Sequence, residues 1–480
     1  MLFSSAIFLF LYLPCFLLIY YLIPQHWRNA FLFAASLFFY AWGETLVVFV
    51  LLLSTLINFL AGIIIERGQR RFGLLLSLIG SLSLLIYYKY ANFIFYSIKG
   101  FAEAFMLPID NDINLAQVAL PIGISFYTFQ GISYTVDIYW GRIKANRRFL
   151  DYGTYIAMFP HQIAGPIVRY ADIAPELQER SISVEKFGVG AERFIIGLAK
   201  KVLLANTFAN VADTVFNSPS TSYSTGTAWI GIIAYTLQIY FDFSGYSDMA
   251  IGLGKMVGFD FKENFNYPYS ARSVQDFWRR WHISLSSWFR DYLYIPLGGN
   301  RGTKWQTYRN LLIVFFMTGL WHGASWNFVI WGLYHGLFLL AERAGLGKKI
   351  ERAPGMLAHL YTLLIVMIGW VFFRADNLSE AVLYLKKMVG ISTISSSVTL
   401  SVDYFVDTEL IITLLFGLLF VVPTYKKFHE QISKLQDRSK LYSFQILFDT
   451  GYVFGLFVLF VGTVMYLAAD TYNPFIYFRF

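Results

Sequence analysis

The stretch "LVVFVLLLSTLINFLAGIII", residues 46–65, runs for 20 residues without a charged side chain. That is the length an α-helix needs to cross about 30 Å of hydrocarbon, where only a helix or a closed barrel satisfies every main-chain polar group. The same texture recurs over Leu2–Ile23, Phe31–Trp42, Phe72–Tyr96, Ala116–Trp140, Phe194–Val215, Ala228–Tyr246, Leu311–Leu340, Leu357–Phe373, Leu410–Val422 and Phe444–Leu467. Over all 480 residues the chain is 57% hydrophobic and 14% charged, against roughly 45–50% and 25% in a soluble domain. A water-soluble core-and-shell protein is excluded. The sequence predicts an all-α polytopic membrane protein of roughly ten to twelve transmembrane or re-entrant helices, with residues 1–480 forming a single integral membrane domain.

Details refine that expectation. Met1–Ile23 has the apolar core of a signal peptide but neither its basic start nor a small-residue cleavage site, so it reads as the first membrane helix. Leu311–Leu340 is too long for one span and is expected to break at "HGAS", giving two helices that meet near His322. The single cysteine, Cys15, excludes an intramolecular disulfide and a cysteine-based metal site.

The net charge of +8 follows from topology and implies no nucleic-acid partner. The basic residues gather in "QHWRN" (25–29), "ERGQRR" (66–71), "GRIKANRR" (141–148), "ERAGLGKKIER" (342–352) and "YKKFHEQISKLQDRSK" (425–440), which the positive-inside rule assigns to the cytoplasm. "AEAFMLPIDNDIN" (102–114), "DNLSEAV" (376–382) and "VDYFVDTEL" (402–410) then face the other side, and both termini are expected there too.

Two segments fit neither loop nor span. "YIAMFPHQIAGPIVRY" (155–170) is apolar but broken by Pro160, Gly165 and Pro166, and reads as a re-entrant element lining a cavity. "SVQDFWRRWHISLSSWFRDYLYIPLGGNRG" (273–302) interleaves Trp278, Trp281, Trp288 and Tyr292 with Arg279, Arg280, Arg290 and Arg301, the pattern of an interfacial helix or basic rim on the cytoplasmic side.

Of seven histidines, His26, His359 and His429 lie in or near basic loops, which leaves His161, His282, His322 and His335. An ionisable group inside a membrane is expensive and faces a cavity or a partner, so each is either a satisfied structural group or a reactive one. Position alone leaves both readings open. No HExxH or paired i,i+4 histidines occur, so no metal site is expected; no GxSxG occurs, and the one Ser-x-x-Lys match, "SVEK" at 183–186, lacks its companion motifs. What remains is a histidine base serving acyl transfer, with a basic mouth for a phosphate-bearing donor, or a transporter or scaffold of a polymer synthase in which the histidines relay protons or pack.

The blocks "LPIGISFYTFQGISYTVDIY" (120–139), "FPHQIAGPIVRY" (159–170), "YFDFSGYSDMAIGLG" (240–254), "FWRRWHISLSSWFRDYLYIPLGGNRG" (277–302) and "GLWHGASWNFVIWGLYHG" (319–336) resemble, in order and over nearly the whole chain, the membrane-bound O-acyltransferase family. Within it they are most similar to the branch serving alginate O-acetylation and its bacterial cell-envelope relatives. The resemblance implies helices around a central funnel, His322 as the acyl-transfer histidine and His282 as the second member of the pair, whereas His161 and Asp248 are at least as well explained as structural. It also implies acetyl-CoA as a donor held at Arg279, Arg280, Arg290 and Arg301, no permanently bound cofactor, and a bacterial cytoplasmic (inner) membrane location among membrane lipids. The partners implied are a periplasmic acetyltransferase and accessory subunits that deliver the group to the polysaccharide. Peptidoglycan, cellulose, or teichoic acid taking D-alanine from a carrier protein stand as alternative acceptors. The tail "NPFIYFRF" (473–480) has two readings. Phe475, Tyr477, Phe478 and Phe480 form an aromatic belt at the membrane face, or Tyr477 enters the funnel as an acyl relay, which the resemblance also implies.

Overall fold

The computed structural model describes residues 1–43, 45–107, 119–391, 400–424, 442–469 and 472–476. Among them the chain is all-helical, with only an isolated bridge between Tyr223 and Leu400. Val47–Glu66, Arg70–Ala104, Val184–Phe216, Gly355–Arg374 and Ile446–Ala469 are long and apolar enough to cross a membrane, and Phe8–Leu22 and Thr408–Val421 are shorter apolar helices. The expected break in the Leu311–Leu340 run occurs where the sequence put it, between the helices Lys304–His322 and Trp326–Ala341. Ala116–Trp140 is shorter in the structure: its helix is Ile124–Tyr139, entered through Gly123 at φ 77°.

The helix Thr225–Met256 is longer than its apolar part because both ends are capped. The Ser224 hydroxyl accepts from the Thr227 N–H, and the C-terminus closes through Gly258 at φ 94° with Phe259 N–H reaching back to Gly254 O at 2.8 Å. Almost all of this helix is buried. It crosses Val184–Ala199 at two glycine pairs: a Cβ on Gly197 would sit 2.6 Å from Gly245 O, and one on Gly190 would sit 2.6 Å from Gly252 O. Small residues seven apart on each helix thus let the two backbones touch, a packing mode that suits membrane interiors, where apolar burial drives little association.

Two apolar clusters fill the interior. The first gathers Phe3, Phe8, Tyr20, Tyr152, Phe159 and Tyr246; the second gathers Phe129, Trp281, Trp288, Trp321, Trp331 and Trp370. Consecutive tail residues divide between them, Phe475 in the first and Ile476 in the second.

The 155–170 segment is irregular, as expected: residues 155–168 are all buried, Ile167 N–H donates to Ser284 Oγ at 3.0 Å, His161 Nε2 and the Gln162 side-chain amide have no hydrogen-bond partner among the described residues, and Tyr170 at its end lines a cleft of about 1530 Å³. Two expectations are corrected. In 273–302 the arginine-tryptophan alternation separates by depth: Trp278, Trp281 and Trp288 are core residues, Arg279, Arg290 and Arg301 are exposed, and Arg280 and Tyr292 are half-buried. Short helices Val274–Arg280 and Ile283–Phe289 turn the three tryptophans inward, so they do not form the exposed aromatic face of an interfacial helix. Phe475, assigned to the belt by the first reading of the tail, is buried and stacked on Tyr246 at 4.9 Å.

Candidate active site

His322 is the last residue of its helix, followed by Gly323 in an extended conformation that frees the turn from the helical path. Its ring is 6% exposed and boxed edge-to-face by Trp321 and Trp331, both at 5.0 Å, and Phe373 at 5.2 Å. The His282 ring lies 6.4 Å away, centroid to centroid. Nε2 of each has no hydrogen-bond partner among the described residues. A buried polar atom left open is costly; Nε2 of His161 and both ring nitrogens of His335 are open as well, and what sets His282 and His322 apart is that their two rings are neighbours.

His282 is held by its backbone and by one side chain. It adopts φ 44°, a left-handed conformation rare outside glycine, between the two short helices. Asn264 Oδ1 lies 3.1 Å from His282 Nδ1, and the same oxygen takes the main-chain N–H of Ser284 at 3.2 Å and its hydroxyl at 2.9 Å. Because a main-chain N–H can only donate, that Asn264 atom is the carbonyl oxygen, so His282 Nδ1 must carry the proton. Nε2 is thereby left as the basic nitrogen, the tautomer general-base catalysis needs.

The carbonyls at the end of the His322 helix are capped from outside it. Lys89 Nζ donates to Trp321 O at 2.7 Å, His322 O at 3.1 Å and Ser125 Oγ at 3.1 Å, and Tyr90 OH donates to Leu320 O at 2.6 Å. Both come from the π-turn Ile86–Tyr90, whose extra residue re-aims the side chains within an otherwise continuous helix. A cation suits a helix C-terminus. Sequence reasoning passed over Lys89; its signal is a lone cation in the middle of an apolar run.

His322 also lines a small void of about 10 Å³ with Ile239, Phe243, Trp281, Trp370, Phe373 and Ile476, space for roughly one water. The C-terminal segment therefore reaches the histidine. Tyr477, the residue assigned the relay, lies outside the described residues, as do Phe478, Phe480 and His429.

The four arginines separate. Arg279 and Arg301 are exposed. Arg290 pairs with Asp291 at 2.7 Å, and Asp291 also takes Arg169 at 2.8 Å. Burial pushes the Asp291 carboxyl up, but Arg290 and Arg169 outweigh it and hold it below the usual carboxylate range. Arg280 pairs with Asp276 at 2.9 Å and shares main-chain contacts with Asn266. Asn266 lines a cleft of about 690 Å³, with Arg193, Lys200, Asp248 and Glu263 on its wall and Asn264 within reach. None of the four arginines bonds either histidine among the described residues; Arg280 reaches the cleft beside the support of His282 only through Asn266.

The other candidates have structural settings. His161 Nδ1 meets Gln130 Nε2 at 3.0 Å, His335 packs among Trp278, Trp331 and Tyr334, and Asp248 is bound by Arg193 and Lys200, both at 2.7 Å. Among the described residues no group of three or more metal-ligating side chains forms.

Comparison with known proteins identifies the family. Residues 142–346, which contain both histidines of the pair, match the membrane-bound O-acyltransferase family. The chain is 40% identical to the probable alginate O-acetylase AlgI of Azotobacter vinelandii over the whole of both chains. It is 48% identical to the protein of that name in Pseudomonas aeruginosa over 79% of this chain and 73% of the relative. It is 38% identical to the peptidoglycan O-acetyltransferase of Helicobacter pylori, over 82% of this chain and 81% of the relative. With that identity running end to end and its apolar helices spanning length, the chain belongs to the membrane-bound O-acyltransferase family and is a multi-pass membrane O-acyltransferase.

Proposed function

We propose that this enzyme takes an acetyl group from acetyl-CoA in the cytoplasm and passes it across the bacterial inner membrane for O-acetylation of an extracytoplasmic polysaccharide, alginate being the favoured polymer. The observation that carries the reading is the void shared by His322 and Ile476: the catalytic histidine and the chain segment leading into Tyr477 meet at one point. Ten to twelve membrane-crossing or re-entrant segments surround a central funnel, with the C-terminus on the extracytoplasmic side. The donor approaches from the cytoplasm past the arginine rim, Arg280 bordering its path, and His282 orients it and assists proton transfer through its basic Nε2.

The chemistry balances as an acyl exchange. His322 removes the phenolic proton of Tyr477 as the oxygen attacks the thioester carbonyl, and the C–S bond breaks. The proton passes from His322 to the departing thiolate, leaving an acetyl ester on the tyrosine and free CoA thiol. A periplasmic acetyltransferase with its accessory subunits then moves the group to the polymer. No resident cofactor or metal takes part. The 38% identity to a peptidoglycan O-acetyltransferase supports peptidoglycan as the second candidate acceptor.

The test is to delete the gene, restore it as wild type or His322→Ala, and measure the O-acetyl content of each envelope polymer. Wild type restores acetylation of one polymer and His322→Ala does not, at equal membrane levels. Full acetylation with His322→Ala contradicts the reading.

A further inference from the structure

Lys201 and Asp242 form an ion pair in the interior, Nζ to Oδ1 at 2.9 Å, with side chains 3% and 1% exposed. The contact is ionic without hydrogen-bond alignment, since Asp242 Oδ1 has no hydrogen-bond partner among the described residues. A buried pair of this kind seldom stabilises more than apolar side chains of the same volume would, so its retention asks what else the two charges hold.

Both hold the same short segment. The Lys201 ammonium donates to the main-chain carbonyl of Pro474, and Asp242 Oδ2 accepts the main-chain N–H of Ile476 at 2.9 Å. Between these points Phe475 stacks on Tyr246. One residue earlier, Asn473 Nδ2 donates to Ser4 O at 3.1 Å and Ser4 Oγ at 3.0 Å, and Asn473 Oδ1 accepts from Asn206 Nδ2 at 3.3 Å. Lys201 belongs to the π-turn Lys200–Ala205, and Asp242 lies mid-way along Thr225–Met256. The pair therefore joins two helices to the tail, and among the described residues its hydrogen bonds to the tail are to main-chain atoms.

We infer that Lys201 and Asp242 are positioning residues, a two-point clamp that fixes the register of the C-terminal segment so that Ile476 closes the void at His322. The purpose of the clamp rests on the relay reading above; its existence does not. The polarity of the pair is essential, because an ammonium must face the Pro474 carbonyl and a carboxylate must face the Ile476 N–H. An ion pair serving only to join two helices works in either orientation.

The experiment uses the full-length protein in membranes with Cys15→Ser, Ser4→Cys and Asn473→Cys, oxidised to report tail docking as an internal disulfide. The parent cross-links and retains polymer acetylation. In Lys201→Met, and in the exchanged pair Lys201→Asp with Asp242→Lys, cross-linking falls roughly tenfold or more, the scale of losing hydrogen bonds to charged groups, and acetylation falls with it. Driving the disulfide to completion in Lys201→Met restores acetylation, which a catalytic or purely structural lysine does not allow. The exchanged pair keeps its charges together, so it keeps the test informative if Lys201→Met fails to accumulate. Parent-level cross-linking in the exchanged pair, or no cross-link in the parent, overturns the clamp. Tyr477→Phe cross-links normally in either case. If it also acetylates normally while the exchanged pair loses the cross-link, the relay falls and the clamp stands.

Discussion

The ammonium of Lys89 lies 3.1 Å from the main-chain oxygen of His322 and 2.7 Å from that of Trp321. One side chain thus closes the helix that presents the His322 ring, the proposed acyl-transfer base. Lys89→Met keeps the length and removes the donor, leaving carbonyls open where water is scarce. Losing a hydrogen bond to a charged group costs about 1.5–3 kcal/mol, so the turnover rate should drop roughly 10- to 100-fold. The donor KM should stay nearly constant, because Lys89 grips the histidine turn and not the donor. Steady-state kinetics on purified protein check this; wild-type turnover in Lys89→Met would return the lysine to general packing.

Asn264 sets the tautomer of His282 through an oxygen whose acceptor character the Ser284 N–H fixes. Asn264→Leu should therefore lose most of what His282→Ala loses, within the roughly 10²–10⁴ that a positioned base contributes. The double variant should be little worse than either single one, since residues acting as a unit are not additive. Additive losses in the three rates would separate the two residues.

Of Arg279, Arg280, Arg290 and Arg301, Arg280 alone bonds a residue lining the cleft beside Asn264, donating to Asn266 O at 3.4 Å. Arg280→Gln is expected to raise the KM for acetyl-CoA several-fold with kcat little changed, the mark of lost ground-state binding, whereas Arg279→Gln and Arg301→Gln change it less. Equal effects at all of them would point to a diffuse field at the rim in place of a binding residue.

Asp291 ties Arg290 to Arg169 and so fastens the irregular 155–170 segment to the element following His282. Its folded carboxyl is held below the ordinary 3.8, so its contribution to stability is complete above that value and is lost as pH falls through the lower folded value. Thermal melts of detergent-solubilised protein should show a steeper fall in Tm below about pH 4 for wild type than for Asp291→Asn, which lacks this component. Parallel curves would show that the bridge contributes nothing measurable.

The parts of this molecule written in the primary sequence are those governed by local pattern. Leu46–Ile65 announces a span by length alone, and the break at "HGAS" is visible because glycine and serine interrupt an overlong apolar run. His322 and His282 stand out as ionisable groups among aromatic residues, but only folding brings two rings 40 positions apart to 6.4 Å. The alternation of tryptophan and arginine in 273–302 misleads because the same pattern suits a membrane face and a pair of short helices turning their rings inward; burial decides, and burial is tertiary. Lys201 and Asp242 were invisible for the same reason. Each sits in an ordinary-looking helix, and their shared meaning depends on a tail more than 230 positions downstream.

The central claim is that His322 moves the acetyl group onto the tail tyrosine, and the most direct measurement looks for that ester. Purified protein is given isotope-labelled acetyl-CoA without acceptor, quenched in acid, digested, and the peptide carrying residues 473–480 weighed. The account predicts one labelled acetyl group on Tyr477, one equivalent of CoA thiol released with it, and neither product in His322→Ala. An unlabelled tail in protein that still supports polymer acetylation, or undiminished labelling in His322→Ala, would contradict it.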